Sequence, residues 1–142
     1  MQLLNNPIVK YDTISVQFVA NTTATKINVP DQPQLRGKKI LCIDFPPIAY
    51  DFLAQNTLNL NSSFLNSSFI NLYFNGGIFI ENLPLREIQQ MANALSSPYV
   101  NSNGAFMLSG QTIVWDKCYI NLPSSIAYTS NAVFLIGVYY TN

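Results

Sequence analysis

The chain has 142 residues, of which 49% are apolar and 10% charged, with seven basic and seven acidic side chains cancelling to zero; an ordinary soluble domain carries about 25% charged residues. There is no histidine, which removes the Ser-His-Asp and Cys-His arrangements and the commonest zinc ligand. Basic residues are few and only Lys38 and Lys39 adjoin, so there is no clustered basic face of the kind direct nucleic-acid binding needs.

A length of 142 residues fits one domain, expected over 1–142, that can fold without a disulfide or metal. A surface of net charge near zero favours association, so the expectation is that neighbouring protein covers much of it. Asparagine supplies 17 of the residues. With Ser and Thr it is expected to provide wettable surface in place of charge, and to favour turns.

Met1 to Lys10 lacks the positive region and long apolar run of a secretory signal. Thr13-Ile14-Ser15-Val16-Gln17-Phe18 alternates with period two: Ile14, Val16 and Phe18 face a core, and Thr13, Ser15 and Gln17 face away. Lys26 to Val29 predicts a shorter strand, closed by the turn signal Pro30-Asp31-Gln32-Pro33. The sequence Arg36-Gly37-Lys38-Lys39 has no Gly-rich loop ahead of its lysines and is read as a solvent-facing strand entrance, not a phosphate cradle. Lys39 to Phe45 predicts a strand apolar on both faces, ended by Pro46-Pro47. Ile48 to Gln55 suits a short helix or a loop.

The repeat Asn61-Ser62-Ser63-Phe64 and Asn66-Ser67-Ser68-Phe69 is too short for a solenoid unit and is read as local bias at a strand entrance. Phe69 to Phe74 and Ile78 to Glu81 flank Asn75-Gly76-Gly77, a strong hairpin signal. From Pro84 to Leu95 the apolar residues Leu85, Ile88, Met91, Ala92 and Leu95 make a helical stripe, with Pro84 at the first position and Ser96-Ser97-Pro98 as the stop. Phe106 to Leu108 and Thr112 to Ile120 flank Ser109-Gly110, a second expected hairpin. Asn131 to Thr141 is apolar on both faces and is expected to be central. Its core, Ala132 to Tyr140, is the longest apolar run, far short of the ~18–20 residues of a membrane helix. The fold class is therefore all-β: an antiparallel β-sandwich of about seven or eight strands with one short inserted helix near 84–95.

The search for chemistry yields little. Asp44, Asp51, Glu81 and Asp116 are the candidates for a carboxylate pair of the glycosidase kind. Asp44 and Asp116 sit in apolar runs, where an ionised carboxylate needs a partner; pairing with Lys117, Lys39 or Arg86 across strands, or exposure at an edge, is expected. Trp115 and the tyrosines suit either a core or interface role, or a sugar-stacking platform. Cys42 and Cys118 are expected to be free, buried thiols. No catalytic, cofactor or metal residues are assigned, no cofactor or small-molecule substrate is expected, and the chain is not read as an enzyme.

In broad pattern the chain resembles the single jelly-roll capsid and penton-type proteins of icosahedral viruses. The matching elements are the alternating strand at Thr13–Val19, the two-sided strand at Lys39–Phe45, the Asn75-Gly76-Gly77 hairpin, the helix at Pro84–Leu95 and the terminal strand Asn131–Thr141. The resemblance implies a jelly-roll sandwich of eight antiparallel strands in a virion, of bacteriophage type, made in a host cytoplasm. It implies a vertex (penton) or minor capsid subunit whose partners are its own copies and other virion proteins. The chain lacks the basic N-terminal arm many such proteins use on genome, so the resemblance implies that the genome contact is made elsewhere, or that a membrane or a second shell lies between. The alternative is a carbohydrate- or receptor-binding β-sandwich module at a fibre or spike tip, which predicts an exposed aromatic cluster.

Overall fold

The computed structural model describes residues 8–21, 23–46, 56–91, 106–122 and 131–142. They form nine strands in two sheets: β1 (Lys10–Phe18), β2 (Lys26–Asn28), β3 (Lys39–Asp44), β4 (Asn56–Thr57), β5 (Phe69–Tyr73), β6 (Phe79–Pro84), β7 (Phe106–Gln111), β8 (Tyr119–Asn121) and β9 (Ala132–Thr141). The first sheet runs β1-β9-β3-β7, with β4 added to β9, and the second runs β2-β8-β5-β6. Apart from β4 the pairing is antiparallel and nested. β1 pairs with β9, β2 with β8, β3 with β7 and β5 with β6, as if one long hairpin had been folded over and rolled. That is the order of a jelly roll, the two-sheet solution for eight antiparallel strands.

Local chemistry sets each element. In β1, Ile14, Val16 and Phe18 are buried and Thr13, Ser15 and Gln17 are exposed, as the alternation requires. The β5–β6 hairpin turns at Gly76 and Gly77, whose φ values of 95° and 88° suit residues without a Cβ. Phe74 N–H donates to Ile78 O at 2.7 Å and closes the turn. In β9 the core face carries Phe134, Ile136 and Val138, while Val133 is buried on the other face. It is central, between β1 and β3.

The helices differ from expectation. A helix, α1 (Ser62–Ser67), occupies the stretch read as a strand entrance. Asn61 caps it, its side chain accepting from Phe64 N–H at 2.9 Å, the interaction that favours Asn at this position. α1 drives Phe64 into the core, where it meets Phe18 edge-on at 5.3 Å and Phe134 at 5.2 Å; Phe45 meets Phe134 at 4.9 Å. This aromatic line ties β1, α1, β9 and the end of β3 together. The predicted helix is present as α2 (Leu85–Met91), with Leu85 and Ile88 buried. Pro84 closes β6 instead of opening the helix, and the expected continuation to Leu95 lies outside the described residues. Arg86 Nε donates to Asn66 Oδ1 at 2.6 Å and joins α2 to α1.

The second predicted hairpin is not formed. Ser109 and Gly110 lie inside β7, with Gly110 at φ 74° near the register shift of the β3–β7 pair. The chain then crosses to the other sheet through an isolated bridge, Phe74 to Ile113, and a 3-10 turn, η1 (Trp115–Lys117). The glycine serves an irregularity within a strand, where a left-handed residue is also needed.

Two asparagines act as backbone substitutes. β3 pairs with β9 only as far as Gly137, and β4 pairs with Ala132 and Val133. Between them, fully buried Asn59 bridges Leu135: its amide donates to Leu135 O and accepts from Leu135 N–H, both at 2.9 Å. Asn71, also fully buried, accepts from Asn82 N–H at 2.8 Å. It opposes a bulge in β6 where Asn82 sits at φ 55°, a conformation Asn tolerates better than most residues.

Candidate functional site

The outer face of the second sheet carries a row of aromatic rings. Because Ile70 and Leu72 point into the core, Tyr73 points out; the hairpin register sets Phe79 opposite it. On β8, buried Ile120 leaves Tyr119 outward, and β2 adds exposed Lys26 and Asn28. The Tyr73 and Phe79 ring centroids are 6.0 Å apart and those of Phe79 and Tyr119 are 6.4 Å apart. Lys117, on η1, holds its ammonium 4.8 Å from the Tyr73 centroid, and Lys26 holds its own 4.3 Å from that of Tyr119. Phe79, between them, is 39% exposed. With Asp116, these groups line a shallow basin of about 420 Å³. Cation–ring contacts at exposed sites are worth about 0.5–1 kcal/mol, so they orient the lysines without neutralising them. The sole salt bridge among the described residues is Arg36–Asp31, elsewhere.

Of the two roles that Trp115 suits in the sequence, core and platform, the structure shows the core: it is 2% exposed and packs there. Its 3-10 turn buries the indole and presents Asp116 and Lys117 outward. The sequence singles out neither Phe79 nor Lys26, and it points to Lys117 only as an ion-pair partner and to Tyr73 only as one of the tyrosines. A partial signal was present: a hairpin centred on Gly76 places Tyr73 and Phe79 symmetrically.

The carboxylates are dispersed. Asp44 lies on β3 in the first sheet, Glu81 is exposed on β6, and Asp116 is exposed on η1. Asp51 falls outside the described residues. The structure does not bring Asp44, Glu81 and Asp116 together, and the ion pairs expected for Asp44 and Asp116 are not formed. Asp44 Oδ1 is buried without a hydrogen-bond partner; it lies over Gly137 beside the Tyr11 hydroxyl, where a methyl group would collide with both. Burial raises the Asp44 pKa, partly opposed by a backbone hydrogen bond. Tyr11 and Tyr139 meet beside it with tilted rings, centroids 4.8 Å apart, and both phenols are raised, by burial first and then by the charge of Asp44.

Cys42 and Cys118 are free and buried. Burial pushes both thiols up to about 11, with the charge of Asp44 adding at Cys42 and that of Asp116 at Cys118. Neither has the thiolate character that reactivity needs. Cys118 Sγ instead accepts from Tyr73 N–H and donates to Val114 O, both at 3.4 Å. Among the described residues no group of His, Cys, Asp and Glu could hold a metal ion, and no helix is long and apolar enough to cross a membrane. No family model, curated protein or solved structure matches the chain.

Proposed function

We propose that this chain is a structural subunit that assembles with copies of itself and other proteins through charge-poor surfaces, as a single jelly-roll capsid protein at a vertex or in a minor position of a virion. The observation that carries the reading is the uncharged outer face of β1. Tyr11, Thr13, Ser15 and Gln17 are all exposed there, and Ile8 and Val9 at its start are 76% and 54% exposed. Uncharged surface with contiguous exposed apolar residues is interface-like. The jelly-roll order supports the reading because shells are among the assemblies built on that fold, although one fold hosts many functions. Native mass spectrometry of the purified chain tests it: the expected result is a closed oligomer, whose repeated contacts follow a rotation. A monomer at every accessible concentration would contradict it.

A second reading, a carbohydrate- or receptor-binding module, is favoured by one observation: the row Tyr73, Phe79 and Tyr119 lies open on the outer face of the second sheet.

A further inference from the structure

We propose that the basin on the second sheet binds an acidic saccharide, with the sugar ring on Phe79 and its carboxylate between Lys26 and Lys117. The inference rests on the second reading above and names its ligand class; it does not depend on assembly.

Three features carry it. The rings of Tyr73 and Tyr119 have an ammonium 4.8 and 4.3 Å from their respective centroids, whereas Phe79, which meets both rings, is 39% exposed. A pyranose presents a face of C–H groups that packs on such a ring, as apolar surface does on any aromatic. The charge is complementary to an acid. Lys26 and Lys117 line the basin with Asp116 as the one carboxylate, and neither lysine forms a salt bridge. Glu81, two residues along β6, does not line the basin. Two cations against one carboxylate leave the basin net positive in a chain with seven basic residues, and a charge-assisted bond to a carboxylate is stronger than one to a neutral hydroxyl. Finally, the Asn28 amide supplies a donor and an acceptor at the rim, which suits hydroxyl groups. The basin is open and about 420 Å³, within the roughly 300–1,000 Å³ of small-ligand sites.

The test is saturation-transfer NMR with sialyllactose and, as the neutral counterpart, lactose, on the full chain, a Phe79→Ser variant and a Lys26→Gln/Lys117→Gln double variant. All three substituted side chains lie at the surface, and circular dichroism verifies folding. The expected result is transfer centred on the carboxylated residue, about tenfold weaker affinity for lactose, and a loss of about tenfold or more in the double variant. Phe79→Ser is expected to abolish transfer, and added salt to weaken it. Equal binding of lactose would overturn the acidic assignment while leaving a sugar platform. No transfer from either sugar would overturn both. Binding unchanged in the variants would place the ligand elsewhere and overturn the site, and an assembly dispersed by Phe79→Ser would make the basin a subunit contact instead.

Discussion

At the scale of single residues, the consequential side chains are polar ones that the fold hides. Asparagine was expected to supply wettable surface and turns; Asn59 and Asn71 are instead fully buried and complete the hydrogen bonding of irregular strands. Composition shows the abundance of Asn but not which copies face a strand gap, because that depends on where β3 stops and β4 begins along β9. Removing the Asn59 amide strands both polar groups of Leu135, each costing about 1–3 kcal/mol when buried. Asn59→Ala is therefore expected to lose about 2–4 kcal/mol in urea unfolding, with m unchanged. Asp44 works in the opposite sense. Its folded-state pKa lies above the ordinary value of 3.8, so the native state binds the proton more tightly than the unfolded chain, and stability falls as pH rises above that value. Asp44→Asn removes this loss. Its melting temperature should exceed the parent's at pH 7, and the gap should close as pH falls below the ordinary carboxylate value; a parent that gains stability over the same upward range would refute the assignment.

At the scale of elements, local signals were read well and non-local ones poorly. The β5–β6 hairpin follows from Asn75-Gly76-Gly77 alone, and the alternation of β1 and the two-sided burial of β9 follow from side-chain period. Ser109-Gly110 has the same local character, yet the glycine answers an irregularity opposite β3, a strand some 70 positions earlier by the Ile40–Gln111 pairing. The helix α1 was missed because Asn-Ser-Ser reads equally as a turn and as a cap. What decides is Phe64, which the cap directs into the core against Phe18 and Phe134. Two changes separate these roles. Asn61→Ala should cost about 1 kcal/mol, the usual value of an N-cap, and Phe64→Ala about 3–5 kcal/mol, the cost of a deleted core aromatic. Equal losses in equilibrium denaturation would show that α1 contributes little through Phe64.

At the scale of the whole molecule, patterning reached the class of fold, while its jelly-roll winding came from the resemblance to single jelly-roll proteins. The all-β sandwich was legible from strand count and patterning; the nested pairing of first strand with last and second with second-last was not, since each pair joins residues far apart in the chain. The same limit hid the candidate site. Tyr73 and Phe79 are brought together by a local turn, but Tyr119, Lys26 and Lys117 reach them only through the β8–β5 and β2–β8 pairings. What composition did convey is a surface of few charges, and the structure distributes those charges without a salt-bridge network among the described residues. Assembly through such a surface relies on burying apolar and neutral polar groups, a driving force that salt screening leaves intact. Sedimentation velocity at micromolar concentration, in low and then moderate salt, tests this most directly. The account predicts one oligomeric species whose mass is the same in both; a persistent monomer, or an oligomer that salt dissociates, would contradict it.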